Sequence, residues 1–132
     1  MQFHKLLPFL LALPLFAAEV NSAINGVWRA QIEEMPAFLM KITDDGGNLS
    51  GAVLFYLIDT TPGKPKQATP GIPEPLLRLK FDGKTVDFVV IPGSGVSAGE
   101  PVNFRLRLVS KNEAVLIRNG DESNPFPVRR DD

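Results

Sequence analysis

The run that most resembles a catalytic motif is Gly95-Val96-Ser97-Ala98-Gly99, which matches G-x-S-x-G. In that motif a serine on a strand-to-helix elbow attacks a carbonyl carbon while a histidine takes its proton. The chain has one histidine, His4 near its first residue, and no cysteine. No helical periodicity comes after Ser97, so the run reads as a Gly-rich loop. A serine–lysine pair with Lys84 or Lys111 would dispense with histidine, but the spacing gives neither lysine a reason to meet Ser97. Three carboxylate pairs, Glu33-Glu34, Asp44-Asp45 and Asp121-Glu122, could supply an acid and a base. Adjacent residues on a strand face opposite ways, which separates Glu33 from Glu34. The other two pairs fall in turns, where solvated acids are ordinary. Asp44-Asp45-Gly46-Gly47-Asn48 lacks the spaced ligands and bidentate acid of a calcium loop and reads as a hairpin turn. With neither His nor Cys in the body of the chain, thiol chemistry and transition-metal sites are closed, and no cofactor is implied.

Composition narrows the classes further. Among 132 residues, 14 Lys+Arg stand against 15 Asp+Glu, and 44% are hydrophobic. Near-neutral charge argues against a nucleic-acid partner. The length suits one domain with one core. Met1–Ala18 has a short basic start (His4, Lys5) and an 11-residue apolar run, Leu6–Phe16. That run is too short to span a bilayer at ~20 residues, and Pro8 and Pro14 break it as a helix. The segment reads as a secretory signal peptide cleaved between 18 and 22, which places the protein outside the cytoplasm, in the periplasm or secreted. Cleavage removes His4 and Lys5 and lowers Lys+Arg from 14 to 13, against 15 acids. The mature chain then has no histidine, and without disulfides it depends on core packing. No later segment is long and apolar enough to form a transmembrane helix.

What must position any site is β-structure, because the apolar residues recur with period two. Gly26–Met35 alternates Trp28, Ala30 and Ile32 against polar residues. Phe38–Thr43 carries Phe38, Met40 and Ile42. Leu49–Ile58 carries Val53, Phe55 and Leu57, with Gly51 as a bulge or close-approach point. Asp59–Pro75 holds five prolines and reads as a long extended loop, of the kind that is often functional. Leu76–Phe81, Thr85–Ile91, Val102–Val109 and Glu113–Arg118 complete about seven strands. Asn119–Asp132 reads as a polar edge extension or tail. Short turns imply antiparallel neighbours, and a meander with one apolar face must close into a barrel or stack as a sandwich. The barrel, of about 7–8 strands, is the preferred closure, with residues 19–132 as one domain.

Gly26-Val27-Trp28 resembles the Gly-x-Trp signature that opens lipocalins and related barrels. The resemblance implies that Trp28 closes one end of a barrel beneath an arginine from a late strand. Arg118 is the position matched to that arginine, with Arg107 the alternative. A wider resemblance covers nearly the whole mature chain. GVWRAQIEEMPAFLMKITDDGGNLSGAVLFYL, TPGIPEPL, FDGKTVDF and VNFRLRLVSKNEAVLIRN together resemble a group of small exported all-β proteins of soil bacteria. That group implies export and an all-β domain, and no catalytic residue.

The barrel interior therefore carries the functional expectation. Small barrels usually fill themselves with side chains, whereas a ligand cavity adds a few polar groups among apolar ones. The candidate interior and mouth residues are Phe38, Met40, Phe55, Tyr56, Leu79, Phe88, Phe104 and Ile72. Asp59–Pro75 is expected to cap that end, with Ile72 and Leu76 tucked in, while Trp28 and Arg118 close the other. The expected function is a non-enzymatic binding module for a small hydrophobic ligand. The alternative is a structural or protein-interaction domain of the cell envelope with a filled core. An enzyme ranks third, for want of a nucleophile and its base.

Overall fold

The computed structural model describes residues 23–93 and 99–131. The expected signal segment and residues 95–98 of the G-x-S-x-G run lie outside them. The described residues form an all-β, antiparallel sheet curled into a half-barrel, and among them no helix is long and apolar enough to cross a membrane. The strands are β1 Gly26–Ile32, β2 Met35–Asp45, β3 Asn48–Asp59, β4 Gln67–Pro70, β5 Glu74–Pro75, β6 Leu77–Phe81, β7 Thr85–Val90, β8 Val102–Ser110, β9 Glu113–Arg118 and β10 Phe126–Asp131. Their order is β4-β3-β2-β1-β10-β9-β8-β7-β6, with β5 also on β3.

Two turns show how local chemistry sets the register. Gly46 and Gly47, at φ 62° and 95°, join β2 to β3, and Gly47 N donates to Asp44 Oδ1 at 2.9 Å. This is the expected hairpin. Glu33 and Glu34 make the same kind of two-residue turn, at φ 50° and 70°, between β1 and β2. The first strand therefore ends at Ile32, and the expected run to Met35 is two strands' ends joined by a turn. Glutamate is a poor left-handed residue, so no local signal marked it.

The C-terminal segment corrects a larger expectation. Residues 126–131 are neither tail nor edge. Strand β10 lies between β9 and β1, with Val128 opposite Ala114 and Trp28 opposite Arg130. Phe126, Val128 and Arg130 alternate on the inner face, and Val128 is fully buried. Pro127 escaped notice as a strand residue because proline interrupts most ladders.

Asp59–Pro75 is corrected in part. Rather than a free loop over the barrel mouth, it returns along β3 as β4 and β5. Leu76 is tucked in as expected, but Ile72 is 63% exposed. Leu76 N donates to Gly51 O at 2.9 Å, carrying the chain from β5 across to β6. A β-carbon on Gly51 would lie 2.4 Å from Lys41 O and 2.7 Å from Leu76 Cδ1. Close approach is the reason for glycine there. A bulge with Arg78 at φ 53° then shifts the register of β6, so that Leu76 enters the core and Leu77 does not.

The core is packed around Trp28, Met40, Ile42, Val53, Val86, Phe88, Val90, Leu106 and Val128. Leu57 shares the parity of Val53 but is 75% exposed, because β2 stops pairing with β3 at Phe55. Ile24, ahead of the first strand, is fully buried and accepts a 3.0 Å hydrogen bond from Trp28 Nε1.

Candidate functional site

Chain direction gives the half-barrel two unlike ends. One carries the β2–β3, β6–β7 and β8–β9 turns and is closed by Trp28. Arg130, not Arg118, lies over that indole, its guanidinium carbon 5.3 Å from the ring centroid. Arg130 Nη1 also donates to Ala23 O at 2.9 Å and Asn25 O at 3.1 Å, which ties the start of β1 down. The residue expected to close this end, Arg118, sits at the opposite one. Both arginines have inward parity at the end of a strand. Strands β9 and β10 are antiparallel neighbours, so the two strand ends fall at opposite mouths.

The other end carries the β1–β2 turn, the β3–β4 connection and the β9–β10 loop. Here four phenyl rings form a row. Phe38 and Phe55 are cross-strand partners with centroids 5.8 Å apart. Phe88 and Phe104 are partners on β7 and β8, 5.5 Å apart. Phe55 and Phe104 stack at 5.8 Å and join the two arms of the curled sheet. Such offset stacks contribute about 1 kcal/mol each beyond area burial.

The Phe55–Phe104 pair lines two neighbouring grooves, and so does Arg118. One, of about 340 Å³, runs between Phe38, Phe126, Leu116 and Ile32, with Asp121 and Asn124 at its edge. The other, of about 290 Å³, is bounded by Val90, Pro92 and Val102. Arg118 is opposite Phe104 in register, and the next residue, Asn119, anchors its backbone. Asn119 takes the left-handed conformation that asparagine tolerates, exchanges 2.7 and 3.1 Å hydrogen bonds with Asn103, and turns the chain toward Asp121. The Asp121 carboxylate accepts hydrogen bonds from the Ser123 hydroxyl and amide and from Asn124, and these hold its pKa below the ordinary carboxylate value.

Of the expected ligand residues, the structure brings Phe38, Phe55 and Phe104 to the grooves, with Phe88 packed behind Phe104. Met40 is buried toward Trp28, and Leu79 packs on the core away from both grooves. Tyr56 faces the other way and pairs with Pro70. Ile72 stands in solvent. The Pro-rich segment reaches this end through an ion pair of Lys66 with Glu33 at 2.9 Å, beside the grooves rather than across them. Phe126, Leu116, Asp121 and Asn124 were not anticipated. For Phe126 the signal was present, in the Phe126-x-Val128-x-Arg130 alternation. No family model, curated protein or solved structure matches this chain.

Proposed function

We propose that this protein is an exported, non-enzymatic binding module built as a lipocalin-like up-and-down barrel, and that it takes a small apolar ligand among Phe38, Phe55, Phe104 and Phe126. The observation that carries this reading is a row of phenyl rings beside open, mostly apolar space at one end of the curled sheet. Apolar surface left in water forfeits about 25 cal/mol per Å², and a concave apolar patch with few polar groups is the usual form of a small-molecule site. The volumes fall near the lower bound for such sites. The Arg130–Trp28 pair at the far end supports the lipocalin-like reading, with Arg130 in the role the resemblance gave to Arg118.

Titration with Nile red, an uncharged dye, tests the site, together with native mass spectrometry of protein from its own host. The expected result is saturable blue-shifted emission that weakens about tenfold in Phe104→Ala, from the lost apolar contact. A clean unliganded mass together with no saturable dye binding would overturn the reading. One observation favours the alternative, an interaction domain of the cell envelope: Leu57 and Ile72 are 75% and 63% exposed. Leu57→Ser with Ile72→Ser would then abolish partner recovery in cross-linking and leave Nile red binding intact.

A further inference from the structure

Resting on the apolar site above, we propose that its ligand is a singly charged amphiphile, a carboxylate whose apolar body lies along Phe55 and Phe104 and whose head pairs with Arg118. Placement is the first ground. Arg118 has the inward parity of Ala114 and Leu116, sits opposite Phe104, and lines both grooves. A ligand in either groove therefore meets the same guanidinium. Availability is the second. Among the described residues four ion pairs form, using Arg29, Lys66, Arg105 and Arg107, and Arg118 is in none of them. Arg118 is exposed at the rim of both grooves, and its guanidinium carries five donors in the planar fork that matches a carboxylate.

Charge count is the third ground. Asp121 edges the larger groove, and the hydrogen bonds from Ser123 and Asn124 favour its ionised form. Ionised Asp121 repels a second negative charge, so a dianion such as a phosphate monoester is disfavoured more strongly than a monoanion. Size is the fourth. At ~30 Å³ per non-hydrogen atom, a groove of about 340 Å³ takes about eleven such atoms, the tail carbons of dodecanoate with its carboxylate outside on Arg118. A medium-length acyl chain or a small aromatic acid fits that volume.

The test is calorimetric titration of the purified full chain with dodecanoate, dodecanol and dodecyl phosphate, each below its aggregation limit. Wild type is expected to prefer dodecanoate over dodecanol by about tenfold, with the preference shrinking at high salt. Arg118→Gln is expected to remove the preference by weakening dodecanoate about tenfold more than dodecanol. Arg118→Lys, a point charge without the fork, is expected to keep part of it. Unaltered Trp28 emission in both variants will show that the fold is intact. Equal affinity for dodecanoate and dodecanol in wild type, or a preference that survives Arg118→Gln, overturns the assignment of the head group but leaves the apolar site standing. Tighter binding of dodecyl phosphate than of dodecanoate overturns the monoanion. If none of the three binds, the apolar site falls with it.

Discussion

Replacing Arg130 with methionine isolates what closes the Trp28 end. Methionine keeps much of the apolar stem but removes every donor. The lost contacts include Nη1 to the carbonyls of Ala23 and Asn25, at 2.9 and 3.1 Å, Nε to Asn112 Oδ1 at 3.3 Å, and the cation over Trp28. A net hydrogen bond from a charged donor contributes about 1.5 kcal/mol or more, and a half-buried cation–π contact about 1 kcal/mol. These contacts share one side chain and do not add fully, so the expected loss is about 3 kcal/mol. For a domain of roughly 110 residues that lowers Tm by about 10 °C. Trp28 is the only tryptophan and is fully buried, so its emission reports unfolding directly in a urea titration. Arg118→Met is the matched control and is expected to stay within about 0.5 kcal/mol of wild type. A double-mutant cycle of Arg130→Met with Trp28→Phe, monitored by circular dichroism, should return about 1 kcal/mol of coupling. If Arg118→Met costs as much as Arg130→Met, or the cycle shows no coupling, the assignment of Arg130 is wrong.

Gly51→Ala forces a β-carbon against Lys41 O and Leu76 Cδ1, and should lose about 2–3 kcal/mol in urea melts. Gly46→Ala meets nothing within 4 Å, and only its φ of 62° opposes it, so about 1 kcal/mol is expected; equal losses would refute the close-approach argument. Deleting residues 125–132 removes a strand that is paired on both sides, and Trp28 should then emit as it does in denaturant. A cooperative melt in that truncation would show β10 to be dispensable. The carboxyl of Asp82 is held below its ordinary pKa by the amides of Lys84 and Thr85, and that of Asp59 by Thr61, as Asp121 is by Ser123. Their contribution is complete above the unfolded value of about 3.9 and disappears as pH falls through the lower folded values. The urea midpoint should therefore drop below about pH 4, and less so when all three are asparagine. An unchanged slope in that variant would remove these turns from the acid response.

Alternation was the legible part of the fold. Phe38-x-Met40-x-Ile42 and Val86-x-Phe88-x-Val90 point inward as their parity requires, and all six side chains are buried. Asp44–Asn48 announced its turn through residues that accept positive φ. The Glu33-Glu34 turn did not, because its conformation is imposed by the pairing of Ile32 with Met35 rather than favoured by glutamate. In the candidate site, Phe38, Phe55 and Phe104 were legible as inward residues. Leu57 and Leu79 carried the same signal and lie elsewhere, because parity gives a face of the sheet and not a height along it.

The sequence by itself determined an antiparallel all-β chain, the identity of most core residues, and the absence of histidine and cysteine from residues 23–131. Those properties depend on residue type and on a period of two, which neighbours in the chain specify. Tertiary structure alone decided which arginine meets Trp28 and which stands beside the phenylalanines. Arg118 and Arg130 look alike locally: each is the last or next-to-last residue of a short strand, on its inner face. Only the antiparallel course of β9 and β10, with β10 inserted against β1, sends one to the closed end and the other to the open end. That pairing joins residues about a hundred positions apart, a separation at which nothing in the local pattern of side chains specifies the partner.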